Sequence, residues 1–481
     1  MSEVSKHSFE LGRVRCPTAM IDKWSFLPIL AFVYASIVMP LISFVSPPAT
    51  LQSMLQSVVE GQLVNRIFWP AMAASSVVLV VRNHSRIGKL ILPPHIICLL
   101  VYLAFAGASA LWALNQELSF IRFTQQVMIL APVILPTMLA ARTADVMGGV
   151  FLCFGFGLIL NVLLGGHAGT GYGGYFLDKN AYGQFAAIAF LLALHQVLYR
   201  GLRRALGMIV VVIAGIVLYL TNSKTSIGLG FLAPFLAGFT LMTRKMMRIS
   251  PAIVVFIIIT LLVFFRDQVG WHVFNDLTFS NRIFIWDFAT YEIGRRPLLG
   301  WGFQSFWLIG ANSPAIVEAS AWVKDMPNAH NGYLDTALEM GLVGLALLVI
   351  FIMTTLQAIG RVADRDPARA WLMLSLAIFI IFHNLLETSW MRDFAWMMFA
   401  LVAAEIGRCW RLYRPTKVTH GSRPSTPASP GLSRRPWPIY SHKNCPSERE
   451  TQMSGPSSLR VRPHRHSRAP QQHAGRPRSV R

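Results

Sequence analysis

Long apolar runs separated by short polar segments dominate this chain. Hydropathy places about twelve of them, near residues 24–45, 67–81, 91–114, 124–141, 147–165, 183–198, 205–220, 226–242, 251–265, 333–356, 370–386 and 394–410. Runs of roughly 17–25 apolar residues have the length a helix needs to cross a hydrocarbon core of about 30 Å, and no alternating pattern suggests a barrel. The pattern therefore predicts an all-α polytopic integral membrane protein with about 12 transmembrane helices. One stretch breaks the rhythm: the 66 residues 266–331 are polar and aromatic-rich and lie between two apolar runs. The expected organisation is an N-terminal segment (1–23), a membrane domain (24–410) containing the large loop 266–331, and a tail (411–481).

Composition agrees with a bilayer location: 54% of residues are hydrophobic and 14% charged, with a mean hydropathy of +0.49. The net charge of +21 is concentrated at the C-terminus. From Arg411 onward there are 15 Lys or Arg against Glu448 and Glu450, leaving +13, together with 11 of the 27 prolines. Such a segment cannot bury enough apolar surface to fold, so disorder near anionic headgroups is expected. No aromatic interleaving or folded recognition motif accompanies it, which argues against nucleic acid as a partner. Cys16, Cys98, Cys153, Cys409 and Cys445 lack metal-ligand spacing, so neither a disulfide nor a metal site is expected. The first run follows Lys6, Arg13, Arg15 and Lys23 without a small-residue cleavage site, and reads as a retained span.

Lys and Arg beside span ends stay on the cytoplasmic side. Arg82, Arg86 and Lys89 follow the second run, Arg142 the fourth, and Arg200, Arg203 and Arg204 the sixth. Arg244, Lys245 and Arg248 follow the eighth, Arg361, Arg365 and Arg369 the tenth, and the basic tail the twelfth. Both termini are thus expected in the cytoplasm. The outer face then collects Arg122, the glycine-rich loop 166–183, the TNSKTS break (221–226), the large loop and ETSWMRD (387–393). The two halves show no repeat, and neither paired broken helices nor ionisable residues on a central path are evident, so an exporter has little support.

Several residues on that face suit the binding of an anion or the movement of a proton. Lys179 and Asn180 lie in a glycine-rich loop whose backbone N–H groups can approach an anion, although a solvated turn would look the same. Lys224 is flanked by small hydroxyl residues at a helix start, which leaves room for a phosphate; a snorkelling lysine is the plainer reading. Arg282 and Trp286 are four apart in an amphipathic segment, with Arg295 and Arg296 one helix further on, and guanidinium suits a bidentate grip on phosphate oxygens. His330 immediately precedes a helix, whose positive end disfavours imidazolium, and this suits the ring to act as a general base. Asp335 and Glu339, on the first turns of that helix, can orient the ring or a sugar hydroxyl, or simply cap the helix. His383 and Glu387 are also four apart and form a candidate polar pair.

With these residues in view, the chain resembles the superfamily of O-antigen ligases and Wzy-type polysaccharide polymerases, and within it the exopolysaccharide polymerases of the ExoQ kind. His330-Asn331, nine residues, Gly341, two residues and Gly344 resembles the ligases' His-Asn pattern; residues 281–306 resemble the Arg-x-x-x-Trp…Pro-Leu-x-Gly-x-Gly segment; LDKNAYG (177–183) is similar to the Lys-Asn loop of the exopolysaccharide branch. Where ligases commonly carry Ser-Arg, this chain has Ser223-Lys224, a point charge in place of a bidentate grip, which favours the polymerase branch.

The resemblance implies a GT-C-like enzyme of the bacterial inner membrane with a large periplasmic loop and no cofactor. Its substrate would be an undecaprenyl-diphosphate-linked oligosaccharide, as donor and as acceptor, alongside membrane lipids and a chain-length regulator or export complex as partners. His330 would be the catalytic base. Lys179, Asn180, Lys224, Arg282, Arg295, Asn331, Asp335 and Glu387 would bind pyrophosphate or sugar. Trp301, Phe303, Phe306 and Trp307 would offer faces to sugar rings. Cationic side chains would supply the charge stabilisation that a metal ion otherwise gives. O-antigen ligation onto lipid A-core is the alternative.

Overall fold

The computed structural model describes residues 24–47, 63–84, 92–141, 144–168, 171–274, 276–310 and 312–413. The expectations for the N-terminal segment, for Arg86, Lys89 and Arg142, and for the tail beyond residue 413 lie outside them.

Every expected apolar run is helical. The helices are α1 (Phe26–Val45), α2 (Leu63–Arg82), α3 (Pro94–Ala108, extended by a 3-10 turn to Trp112), α4 (Gln116–Leu139), α5 (Val146–Leu164) and α6 (Lys179–Val197). There follow α7 (Leu202–Thr221), α8 (Lys224–Met247), α9 (Pro251–Phe264), α10 (Arg282–Arg295) within the large loop, α11 (Gly332–Ala363), α12 (Pro367–His383) and α13 (Phe394–Tyr413). Eight of the described helices are long and apolar enough to cross a membrane. The chain is a multi-pass, all-α membrane protein.

The helix starts are written in the sequence. Asn115, Asp145, Asp178, Ser250 and Asp366 each accept a hydrogen bond from a first-turn N–H through their side chains. In α1 the chain forms a π turn over Tyr34–Val38 just before Pro40, which has no N–H for the carbonyl of Ser36. Tyr175 donates its hydroxyl to that carbonyl at 3.0 Å, tying the glycine-rich segment to α1. This segment forms a short antiparallel hairpin, β1 (Gly166–Ala168) with β2 (Gly171–Gly174).

The centre of the bundle is formed by α6, α12 and α13, whose side chains are buried on nearly all sides. Around them α6 packs on α7, α8 on α12, α11 on α3 and α13 on α4.

Two features depart from the hydropathy reading. The helix expected to run to residue 386 stops at His383, because the Asn384 side chain accepts from the N–H of Ser389 and of Trp390 and turns the chain. And α11, which reads as one apolar run, is broken at Gly341 (φ +67°, ψ −174°).

That break is bridged by residues 297–302. The carbonyls of Pro297 and Leu298 accept from the N–H of Leu342 and Val343 (2.8 and 3.3 Å), while the N–H groups of Trp301 and Gly302 donate to the carbonyls of Leu338 and Glu339 (3.0 and 2.8 Å). The backbone groups released by the break are thereby satisfied, as a nonpolar setting demands. A Cβ on Gly341 would lie 2.1 Å from the Leu298 carbonyl oxygen, and one on Gly300 would lie 2.5 Å from the Gly341 nitrogen. The Pro-Leu-x-Gly-x-Gly segment and the glycine ten residues after Asn331 are therefore two halves of one backbone joint.

The large loop has its own small core of Ile285, Ala289, Trp301, Phe306, Trp307, Ala315, Val323, Ala329 and Leu338. Phe303 is buried in the main core. The expectation that Trp301, Phe303, Phe306 and Trp307 present faces to sugars is thus corrected: all four are at most 6% exposed, because the loop must bury apolar surface to hold its shape.

Candidate active site

His330 stands at the N-terminal end of the first half of α11, and its backbone is fixed from several directions. Its φ of +48° places it in the left-handed region, and its N–H donates to the Asn328 side chain at 2.9 Å. Asn331 is the helix N-cap, accepting from Tyr333 and Leu334 N–H at 3.0 and 3.2 Å. On the other side, the Ala329 N–H donates to Asp335, and the Ala329 carbonyl accepts from Trp286 Nε1 at 3.0 Å. The Arg-x-x-x-Trp segment of α10 therefore holds the residue that carries the imidazole.

The same helix turn supplies Arg282, which pairs with Glu387; the second oxygen of Glu387 lies 3.0 Å from Nδ1 of His330. A carboxylate only accepts, so this contact puts the ring proton on Nδ1 and the lone pair on Nε2. Arg282 and Glu387 are each 13% exposed and His330 is 29% exposed, so the imidazole is reachable while its orienting pair is shielded. Burial drives the Glu387 carboxyl up, but the His330 hydrogen bond and the Arg282 charge outweigh it and hold the group below the usual carboxylate range. Nε of Arg282 is buried with no hydrogen-bond partner among the described residues. A donor in that state calls for an acceptor from elsewhere.

A polar layer runs from this cluster to the two lysine loops. Gln184 on α6 donates to Ser389 at 2.7 Å and lies 3.5 Å from Nδ1 of His383; Nε2 of His383 lies 3.4 Å from Ser226. Ser223 Oγ donates to Asn180 Oδ1 and lies at the same 3.1 Å from the Ser226 hydroxyl, from which it can accept. Lys179 opens α6 and Lys224 opens α8, so both lysines stand at the helix starts joined by this layer. Lys224 also acts on Asp276 of the large loop, whose carboxyl is held low chiefly by its hydrogen bond from Thr278.

Three expectations change here. The side chains of His383 and Glu387 do not pair with each other: the first turns into the Gln184–Ser226 layer and the second toward Arg282 and His330. Asp335 is buried and accepts from Trp307 Nε1, Ala329 N–H and Thr388 Oγ1, which makes it a positioning group for the loop. Arg295 stands at the opposite end of α10 from Arg282, about 20 Å along the axis, and is braced between Glu292 and Glu318. Arg295 is thus engaged by the loop's own carboxylates and not by the Arg282–Glu387–His330 cluster.

Glu339 pairs with Arg392, and Arg122 donates to the Gln304 carbonyl; neither contact is announced by spacing in the sequence. Among the described residues, no three His, Cys, Asp or Glu converge as metal ligands would.

The model of the O-antigen ligase family matches residues 209–349, from α7 to the middle of α11, and the match contains Lys224, Arg282, His330 and Gly341. Residues 209–349 are thus similar to the O-antigen ligase family.

A protein of Rickettsia felis named "putative polysaccharide ligase" is 26% identical over 124 residues, 25% of this chain and 30% of that protein. Its namesake in Rickettsia prowazekii is 28% identical over 124 residues, 25% and 31% of the two chains. The exopolysaccharide production protein ExoQ of Rhizobium meliloti is 26% identical over 100 residues, 19% of this chain and 22% of that protein. The similarity thus spans about a third or less of each curated relative. Lys179, Asn180 and Glu387 lie outside the residues matched to the O-antigen ligase domain, so their places rest on the geometry above.

Proposed function

We propose that this chain is a glycosyltransferase that polymerises lipid-diphosphate-linked oligosaccharide repeats into exopolysaccharide at the periplasmic face of the bacterial inner membrane, with both termini in the cytoplasm. The observation that carries the reading is the Arg282–Glu387–His330 arrangement, in which a shielded ion pair orients an accessible imidazole and leaves a buried guanidinium N–H without an acceptor among the described residues.

In this mechanism the acceptor sugar hydroxyl attacks the anomeric carbon of the donor. Nε2 of His330 takes the hydroxyl proton as the new C–O bond forms. The bond from the anomeric carbon to the bridging phosphate oxygen breaks, its electron pair leaves with the undecaprenyl diphosphate, and the configuration inverts. Glu387 stabilises the imidazolium that results. The Arg282 charge beside His330 favours the leaving diphosphate, and Lys224, Lys179 and Asn180 contribute from the adjoining helix starts. The first half of α11 points its positive end at the same place.

Replacing His330 with Ala tests this directly. The variant is expected to insert normally, to make no polymer and to accumulate the lipid-linked repeat; continued high-molecular-weight polymer removes His330 from the mechanism. Ligation of glycan onto lipid A-core is the second reading, favoured by the names of the Rickettsia relatives. The surface glycan of a deletion strain separates the two: loss of all secreted polymer indicates polymerisation, and polymer left on its carrier indicates ligation. Chain growth by reconstituted protein without any gradient distinguishes both from an exporter.

A further inference from the structure

The other end of the bundle carries two adjoining cavities that the transfer reaction does not use. They lie beside the last turns of α11, whose first turn carries the candidate site, up to about 45 Å away along the helix. The first, of about 460 Å³, is lined by His95, Gln357, Arg361 and Arg365, with Ile406 and Trp410 as an apolar wall. The second, of about 720 Å³, is lined by Arg244, Lys245 and Arg248, with Leu241 and Met242 as its apolar side. Asp364 belongs to both.

Five basic side chains and one carboxylate therefore line the two cavities. Asp364 is engaged by Arg244 at 2.8 Å, and Nε of that same arginine is buried without a hydrogen-bond partner among the described residues. Excess positive charge and an unmatched buried donor call for an anion. The apolar walls exclude a purely aqueous ligand as the best match, because Met242, Met246 and Met247 of α8 continue the surface outward and are at least 60% exposed. A ligand that joins an anionic headgroup to hydrocarbon satisfies both halves.

We infer that these cavities bind the headgroup of an anionic phospholipid, with one phosphate on each side of Asp364. A two-phosphate lipid such as cardiolipin fits this arrangement better than a lipid with one.

The test uses full-length protein in nanodiscs of phosphatidylcholine doped with cardiolipin or with phosphatidylglycerol, reading lipid retained on extraction by native mass spectrometry. Wild-type protein should retain cardiolipin in preference to phosphatidylglycerol, and inorganic phosphate at millimolar concentration should not displace it. Lys245→Gln with Arg361→Gln, one change in each cavity, should weaken retention about tenfold, while Lys245→Arg with Arg361→Lys should retain it. Arg200→Gln with Arg204→Gln removes two charges from the same end outside the cavities and should leave retention unchanged. Equal loss in that control pair, displacement by phosphate, or equal retention of the two lipids overturns the inference. Unchanged gel-filtration profiles show that the variants remain folded.

Discussion

The guanidinium of Arg282 and the carboxylate of Glu387, 105 residues apart in the chain, form an ion pair whose second carboxylate oxygen orients His330. The pair joins the large loop to the turn after α12, so the imidazole is aligned only when both segments are in place. Alignment of the imidazole and placement of the guanidinium thereby share one carboxylate.

Glu387→Gln keeps the shape and removes the charge. The Gln oxygen can still accept from Nδ1, but an imidazolium formed during transfer loses its stabilisation and Arg282 loses its partner. The rate of glycan transfer by reconstituted protein should fall by about 10²-fold or more, with insertion unchanged. A wild-type rate in this variant would detach the ion pair from the chemistry.

The same carboxylate gives a pH signature in stability. Its folded-state value is depressed, because the His330 hydrogen bond and neighbouring positive charges overcome the effect of burial. A depressed carboxyl stabilises the fold above its unfolded value, about 4.3, and that contribution is lost as pH falls through the lower folded value. Wild-type protein in detergent should lose thermal stability between about pH 5 and pH 3 by more than Glu387→Gln does. Parallel curves for the two proteins would contradict the depressed value.

Arg282 and Arg295 should separate cleanly under mutation. Arg282→Ala removes the guanidinium beside His330 and is expected to lower transfer by roughly 10²-fold, with a weakened apparent affinity for the lipid-linked donor. Arg295→Ala leaves Glu292, fully buried, without its brace and strips a cation from the face of Trp301. It should lower the thermal midpoint and increase proteolysis of the large loop while leaving donor affinity within about twofold, since surface-type ion pairs and scaffold contacts act mainly on stability. Equal effects of the two substitutions on donor affinity would place both arginines at the donor.

What the sequence reveals here follows the range of the forces involved. Apolar runs report the bilayer, so each appears as a helix, and the clustering of His330, Arg282 and the two lysine loops at helix starts follows from where polar residues are tolerated. Hydropathy does not register a local core, which is why Trp301 and Phe306 read as free faces and are buried. Spacing of four suggested His383 with Glu387, but the helix ends at His383, so the helical geometry behind that expectation is absent. Partners such as Gln184 with Ser389, 205 residues apart, leave no local signal at all. Arg295 beside Arg296 looks like an anion grip because Glu318, 23 residues downstream, is invisible to a local reading.

Gly341 is the clearest case of a single residue whose role only the tertiary structure explains. In an apolar run it looks like any helical glycine, yet its backbone is left-handed and a side chain there would meet the Leu298 carbonyl carbon at 2.2 Å. Ala at this position must either straighten α11, expelling residues 297–302 and stranding the carbonyls and N–H groups they satisfy, or accept a strained backbone. Gly341→Ala should therefore cost about 2–4 kcal/mol, read as a lower thermal midpoint in detergent. Gly294 on α10, where an added Cβ meets nothing within 4 Å, is the control. Gly294→Ala should be neutral or stabilising by up to about 1 kcal/mol. Because the first half of α11 carries His330 at its start, Gly341→Ala should also lose transfer activity in the fraction that remains folded. Wild-type stability in Gly341→Ala would mean that the joint between the loop and the broken helix does not hold the site in place.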